Sequence, residues 1–404
     1  MTQYQTKVGN FLNKAVIFSL YLFALGLLTS KALTSAGGVL VCFFGLLRVI
    51  ILQENPIKTL KEKTLNLPIL FLTISLLLSF IKYPDAEAFS QLQKHLLLFL
   101  FFYFAVANLH NLEQIKRLVI ISCVSMGIAL VYDFYQHYFL DVSRVTSFSS
   151  ALAFGCLLNI FMIFTLVYGF WGKINIGKRI ALFSGTALMG VALLLTQTRG
   201  SWLALIGGTV ALSWLKNKKI LILLFIVCLL LSLLLPPTYV DRFKSSFDLK
   251  TNSSNLTRIA LWKSALLMYR DHLITGVGLN RFSPEYEINY RQPYPVDTSC
   301  HPHNNILLFM AETGTFGFVS FVWLMATIFI WLYKNYLQIT DPNWRLFPFA
   351  SFCGLIVFHL QGLTEVNYGD AETIRFFWFL MVLNAAIVKI LKTTEHQKNQ
   401  PSSG

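Results

Sequence analysis

Long runs of apolar residues constrain the fold of this chain more than any other feature of its sequence. A helix needs roughly 20 mostly apolar residues to cross the hydrocarbon core of a bilayer, and many of the runs reach that length. They lack the alternation of a barrel strand. Charged residues make up only 13% of the 404 positions, against about 25% in a soluble domain. The sequence therefore predicts an all-α integral membrane protein.

Twelve apolar segments are positioned to cross the membrane, and residues 1–404 are expected to form a single polytopic domain. The one long connecting loop covers residues 237–303, between spans nine and ten. We expect it to contain short amphipathic helices, including a stretch at Leu256 to Tyr269 that lies on the membrane surface. The predicted spans are 11–30, 32–52, 67–82, 96–111, 116–136, 150–171, 180–196, 201–215, 220–236, 304–333, 346–363 and 373–391.

The distribution of Lys and Arg predicts which side the termini face. An even number of spans places both termini on one side. The segments on that side hold 19 of the 33 Lys and Arg residues, whereas the five short loops on the opposite side hold six. Positive residues in short loops are retained in the cytoplasm. This difference places both termini in the cytoplasm and residues 237–303 on the outer face.

The net charge of +14 does not indicate a nucleic-acid partner. Most Lys and Arg residues lie in short loops, where they set the topology, and membrane lipids are the expected surroundings of most of the chain. The cysteines exclude a disulfide framework in the long loop. Five of the six lie inside apolar segments, and only Cys300 lies in the loop.

Four basic residues are unexpected on the side that is poor in Lys and Arg, namely Lys94, Arg144, Arg199 and Arg258. One interpretation is snorkelling, in which a long cationic side chain reaches the lipid phosphates. The other is a shared anion site facing outward, which the number of such residues favours. The sequence contains no GxxxxGK motif followed by Ser or Thr, so a nucleotide-binding loop is not the expected anion site.

The long loop ends in His301-Pro302-His303-Asn304, directly before span ten. Two histidines this close could bind a metal, but the loop offers no third strong ligand at a fixed spacing, and a closed zinc site needs four. No metal is therefore expected. His303 is interpreted either as a proton acceptor, which an unperturbed histidine pKa near 6.5 permits at neutral pH, or as a structural residue that starts span ten, where Asn304 is the better N-cap.

These residues resemble the signature of the bacterial O-antigen ligase family, whose superfamily also contains O-antigen polymerases. The signature is a His followed by Asn, Ser or Gln, nine residues of any kind, Gly, two of any kind, and then Gly, Thr or Tyr. His303-Asn304, Gly314 and Gly317 match it. Three further stretches are similar to other landmarks of the family: Thr196-Gln197-Thr198-Arg199-Gly200-Ser201, Arg258 before Ile259-Ala260-Leu261-Trp262, and Gly362-Leu363-Thr364-Glu365.

The resemblance implies a glycosyltransferase at the periplasmic face of the bacterial inner membrane. Such ligases move a completed glycan from undecaprenyl diphosphate to a sugar hydroxyl of lipid A–core. Arg199 and Arg258 would then bind the donor diphosphate through bidentate hydrogen bonds, with Lys94 and Arg144 as further partners. His303 would take the proton of the acceptor hydroxyl. One-step displacement would invert the sugar, without a metal or other cofactor.

Asn304, Glu365 and Asp370 are candidates for orienting groups around this site, and the sequence does not rank them. Two other functions stay open. An O-antigen polymerase uses the same kind of donor and has a similar topology, but its acceptor is a growing glycan. A lipid or solute transporter belongs to another class and is expected to place charges at the membrane midplane. In this chain the charges cluster at the predicted outer interface, which favours an enzyme.

Overall fold

The computed structural model describes residues 3–59, 63–293 and 301–398, and all regular structure in these ranges is helical. Cys300 lies outside them. A short 3-10 helix covers Ser245–Phe247. The α-helices of the described residues are α1 (Gln3–Gly26), α2 (Lys31–Leu52), α3 (Pro56–Thr59), α4 (Asn66–Lys82), α5 (Ala86–Asn108), α6 (Leu112–Tyr138), α7 (Ala151–Trp171), α8 (Ile176–Leu195), α9 (Arg199–Lys216), α10 (Lys219–Leu234), α11 (Pro237–Lys244), α12 (Ser253–Asp271), α13 (Phe282–Ile288), α14 (Asn305–Gln338), α15 (Leu346–Gln361) and α16 (Ala371–Lys398).

Eight of the described helices are long and apolar enough to cross a membrane: α1, α2, α5, α6, α7, α8, α14 and α16. The shorter apolar helices α4, α10 and α15, together with the 18-residue helix α9, occupy the other four predicted spans. Every predicted span therefore coincides with a helix. The prediction of an all-α membrane protein is confirmed, while the number of crossings stays a prediction.

The largest difference from the predicted spans is the start of α5, which begins at Ala86 rather than at residue 96. The carboxylate of Asp85 caps this helix by accepting a hydrogen bond from the backbone N–H of Ala88 at 2.7 Å. Such a cap satisfies one of the unpaired donors at a helix start. The polar first turns of α5 thus extend beyond the apolar run, and they carry Lys94 on a helix.

Contacts between connecting segments place several of them at one end of the bundle. Lys31, after α1, forms an ion pair with Glu372 at the start of α16, at 2.5 Å. Lys82, at the end of α4, lies 3.3 Å from Nδ1 of His272 in the long loop. Glu365, between α15 and α16, contacts His303 at the end of the long loop at 3.0 Å. The segments after α1, α4 and α15 therefore lie at the same end as the long loop, which we call the loop end. Further contacts there join Arg144 to Thr196 and Arg199 to Ser245.

α14 is interrupted at Gly314, whose backbone angles (φ 64°, ψ −162°) lie in a region that is essentially restricted to glycine. The break frees the carbonyl groups of Ala311 and Glu312. These accept hydrogen bonds from the backbone N–H groups of Val277 and Gly278, at 2.8 and 3.2 Å. A Cβ atom at Gly314 would lie only 2.5 Å from backbone atoms of the long loop. This glycine of the signature therefore docks the long loop onto α14.

The apolar side of α12 packs against other helices of the protein. Leu261, Ala265 and Met268 are buried in a cluster with Phe282 of α13 and Ala311 of α14. One side of α12 is therefore covered by the bundle, while Leu266 on the same helix is exposed. The location of α12 at the membrane surface stays a prediction.

Replacing Gly314 by Ala is expected to destabilise the protein. The backbone conformation costs a non-glycine residue about 1–3 kcal/mol, and the added Cβ would collide with the loop backbone. Gly127→Ala in α6 is the matched control, since a Cβ there would meet nothing within 4 Å. Thermal unfolding of the purified protein in detergent should show a lower midpoint for Gly314→Ala alone. Equal midpoints for the two variants would contradict the docking role of this glycine.

Candidate functional site

His303 lies directly before α14, and its ring faces a carboxylate from a distant part of the chain. Nδ1 is 3.1 and 3.0 Å from the two carboxylate oxygens of Glu365, which lies between α15 and α16. A carboxylate accepts hydrogen bonds, so this contact favours the tautomer with the proton on Nδ1. Nε2 then carries the free lone pair, and it makes no hydrogen bond within the described part of the chain. His303 is thus arranged to accept a proton at Nε2.

Asn304 holds the two partners together. Its side-chain oxygen caps α14 by accepting from the backbone N–H of Leu307 at 3.1 Å, and its amide donates to the carbonyl of Leu363 at 3.1 Å. One side chain therefore fixes both the start of α14 and the segment that carries Glu365. The backbone of His303 itself has φ 46°, in the left-handed region that few non-glycine residues adopt, so this conformation depends on such surrounding contacts.

Backbone contacts on either side complete this support. The N–H of Asn305 donates to the carbonyl of Gly362 at 2.8 Å, and its side-chain oxygen accepts from the N–H of Tyr368 at 3.0 Å. From the long loop, the indole N–H of Trp262 in α12 donates to the carbonyl of Pro302 at 2.8 Å. The histidine is therefore held from three directions, by α12, α14 and the segment between α15 and α16.

The carboxyl group of Glu365 stays ionised in this setting. Burial alone would raise its pKa, but the hydrogen bond with His303 and the influence of both neighbouring histidines bring the pKa below its usual range. His301 lies beside the same carboxylate, with Nε2 3.7 Å from Oε1. Burial, aided by His303 and Arg258 and opposed by Glu365, lowers the pKa of His301 to about 4. His301 is therefore neutral near pH 7.

His303 and Glu365 both line a large cavity at the loop end, with a volume of about 1210 Å³. Its wall comes from several helices, from the long loop and from the segment before α16, and it combines apolar side chains with many carboxylates and amides. Such groups can hydrogen-bond the hydroxyls of a sugar. The polar residues of the wall include Asp85, Glu87, Asn280, Glu312, Asp370 and Glu372.

A second cavity, of about 310 Å³, is lined by four arginines, and we call it the arginine cavity. Each arginine comes from a different segment. Arg144 follows α6, Arg199 begins α9, Arg242 lies in α11 and Arg258 lies in α12. Glu365 lines both cavities. The histidine–carboxylate pair is therefore located where the two cavities adjoin.

Hydrogen bonds hold these arginines in place without neutralising them. Among the described residues, none of the four forms an ion pair with a carboxylate. Their hydrogen-bond acceptors are neutral oxygens. Arg144 donates to the carbonyl of Thr196 at 3.2 Å, and Arg242 donates to the carbonyl of Gln197 at 2.8 Å. Arg199 donates to the carbonyl and hydroxyl of Ser245, both at 2.9 Å, and to Asn252 at 3.2 Å, while Arg258 donates to the hydroxyl of Ser254 at 3.3 Å.

Arg258 has donor capacity left for a ligand. Its buried Nε–H has no hydrogen-bond partner within the described residues. Burial lowers the pKa of Arg258, the negative charge of Glu365 opposes this effect and the positive charge of Arg144 adds to it. The guanidinium nevertheless remains charged at any physiological pH. The arginine cavity therefore concentrates positive charge in a partly dehydrated place, which suits an anion with several negative oxygens.

The structure brings together three of the four basic residues that were predicted to share an anion site. Lys94 does not join them. It lines the large cavity instead, where its ammonium group donates to the carbonyl of Gly369 and to the side chain of Gln91. Arg242 takes the fourth place in the arginine cavity. Sequence analysis did not identify Arg242, because several exposed residues of the long loop are also basic and the sequence does not distinguish Arg242 from them.

The structure also separates the three residues considered for orienting groups. Asn304 and Glu365 contact the His303 segment directly, as described above. Asp370 instead caps α16, where its carboxylate accepts from the backbone N–H groups of Glu372 and Thr373 at 3.0 and 3.2 Å. It is one wall residue of the large cavity and does not contact the histidine.

Fold and site together define a polytopic membrane protein with a histidine–carboxylate pair beside an arginine-rich cavity. Residues 184–322 match the family model described as O-antigen ligase. A Rickettsia typhi protein named as a predicted polysaccharide ligase is 24% identical over 304 residues, which cover 72% of this chain and 73% of the relative. Similarly named proteins of Rickettsia conorii and Rickettsia felis are each 25% identical, with 72% of both chains covered. The resemblance to the O-antigen ligase family that was drawn from the signature is confirmed by these matches.

Proposed function

We propose that the protein is an O-antigen ligase that transfers a glycan from undecaprenyl diphosphate to a sugar hydroxyl of lipid A–core. The family supports a glycan ligase in general. The finer proposal rests on one observation, which is that the His303–Glu365 pair adjoins an arginine cavity without paired carboxylates on one side and lines a large polar cavity on the other. The first suits a diphosphate and the second a sugar acceptor.

The donor diphosphate binds in the arginine cavity. Arg199, Arg242 and Arg258 offer planar N–H donors that match the oxygens of a phosphate group, and Arg144 adds charge. Lys94 lines the large cavity and is therefore not among the proposed diphosphate ligands. Because the four arginines supply the positive charge that a divalent metal supplies in many other sugar transferases, we propose a transfer that needs no metal.

The chemical step requires a base beside the acceptor. The acceptor oxygen attacks the anomeric carbon of the donor sugar while its proton passes to Nε2 of His303. The bond between the anomeric carbon and the phosphate oxygen breaks, and its electron pair leaves with undecaprenyl diphosphate. Glu365 accepts a hydrogen bond from Nδ1–H of His303 and stabilises the imidazolium that forms. Attack opposite the leaving group inverts the anomeric configuration.

We place both cavities at the periplasmic face of the inner membrane and both termini in the cytoplasm. The distribution of Lys and Arg supports this orientation, and so does the lipid-linked donor, which the family resemblance implies on the periplasmic side. The loop end, rather than the middle of the bundle, holds the charged residues that line both cavities. That location favours an enzyme over a transporter.

The first test is transfer in vitro from a purified lipid-linked glycan to purified lipid A–core. The wild-type protein should form the core-linked product, and His303→Ala should lower the rate by about 10²–10⁴-fold, the usual contribution of a general base. Donor binding should be retained, because His303 lies outside the arginine cavity. His301→Ala, which changes the adjacent histidine, is the control and should have a milder effect.

Two results would contradict this proposal. If His303→Ala keeps half of the wild-type rate, the histidine serves only to start α14. If the wild-type protein instead lengthens the glycan on its lipid carrier and leaves lipid A–core unmodified, the activity is that of a polymerase.

The second test replaces Arg258 by Lys. Lysine keeps the charge but cannot form two parallel N–H bonds to a phosphate, so binding of the lipid diphosphate should weaken by about 10–100-fold, as expected for a lost charge-assisted bond of about 1.5–3 kcal/mol. Arg270→Lys is the matched control, because Arg270 lies in the same helix but is 70% exposed and paired with Asp271. Arg258 gives a cleaner test than Arg199, which also holds the long loop. Normal donor binding by Arg258→Lys would place the diphosphate elsewhere.

A further inference from the structure

Three side chains at the site have the arrangement of metal ligands. Nδ1 of His303 and Nε2 of His301 are 3.1 and 3.7 Å from Oε1 of Glu365, and one ligand atom from each residue lies within 4.8 Å of the other two. Zinc binds nitrogen and oxygen ligands at about 2.0–2.2 Å in a tetrahedron, which places neighbouring ligand atoms about 3.3 Å apart. The distances from Oε1 of Glu365 to the two histidine nitrogens lie on either side of that value.

The sequence offers only the two histidines, and the fold supplies the third ligand. Glu365 lies 62 residues beyond His303 and reaches it through the contacts of the segment between α15 and α16. Its side chain is 10% exposed, while those of His303 and His301 are 28% and 45% exposed. The carboxylate is therefore buried, whereas both histidines are partly exposed towards the cavity. All three residues line the large cavity, which gives an ion access.

We propose that His301, His303 and Glu365 form an inhibitory site for zinc or a similar divalent transition metal. Two imidazoles and a carboxylate, with a fourth position open to water, are a donor set that suits zinc. Mg²⁺ prefers oxygen ligands, so it is not expected to occupy this cluster. The metal has no part in the transfer itself.

Inhibition follows from the chemistry of the imidazole ring, and this part rests on the proposed function. A metal bound to Nδ1 replaces the proton there and leaves the neutral ring protonated at Nε2. That nitrogen can then no longer accept the proton of the acceptor hydroxyl. The metal also takes the carboxylate of Glu365 away from its hydrogen bond with His303. Binding of the metal, in contrast, depends only on the geometry of the three ligands.

Zinc binding can be measured separately from activity. The full-length protein, purified without a polyhistidine tag and treated with a chelator, is titrated with Zn²⁺ by calorimetry, and with Co²⁺ to record the visible absorption of a tetrahedral site. We expect one site in the wild-type protein, at least about tenfold weaker binding in His301→Ala and in Glu365→Gln, and no response to Mg²⁺. His110→Ala, which changes an exposed histidine between α5 and α6, should bind zinc like the wild type.

The transfer assay provides the second measurement. Zn²⁺ should inhibit the wild-type protein, and a chelator should restore its rate. His301→Ala should transfer in the presence of chelator and should resist zinc. Equal zinc affinity of the wild type and His301→Ala, or equal inhibition of both, would overturn the inference. If zinc binds as expected but the chelated wild type shows no transfer, the metal site stands and the proposed function fails.

Discussion

The hydrogen bond between His303 and Glu365 is the interaction on which the proposed chemistry depends. It joins two residues that are 62 positions apart, and it selects the ring tautomer that leaves Nε2 free. A lone histidine at the start of a helix would have no such preference. Much of the loop end preserves this contact. Asn304 ties the start of α14 to the Glu365 segment, and Trp262 holds the residue before His303. The glycine break in α14 docks the long loop that carries Trp262.

Charge is distributed unequally between the two cavities that adjoin this pair. In the large cavity, two of the cations are paired with carboxylates, Lys31 with Glu372 and Arg281 with Asp85. In the arginine cavity, no described carboxylate forms such a pair. Burying unpaired charge costs free energy, and hydrogen bonds to neutral carbonyl, hydroxyl and amide oxygens offset part of that cost. The arrangement leaves the positive charge available to a ligand.

Sequence analysis predicted the helices well because length and apolar composition largely decide a membrane helix without tertiary information. His303 could be found from its signature. The choice of Glu365 over Asp370 as its partner could not, because it depends on how the segment between α15 and α16 folds against α14. The sequence also could not predict that Arg242, rather than Lys94, lines the arginine cavity, for a similar reason. This arrangement follows from the capped start of α5 and from the position of α11, neither of which the apolar pattern reports.

A double-mutant cycle tests most directly whether the carboxylate acts through the histidine. Initial rates of glycan transfer are measured for the wild type, Glu365→Gln, His303→Ala and the double variant, at matched thermal stability and saturating donor. Glutamine keeps the shape of the side chain and removes its charge. The account predicts that Glu365→Gln slows transfer by about tenfold or more when His303 is present and causes no further loss in His303→Ala. The same loss in both backgrounds would show that the two residues act independently and would contradict the account.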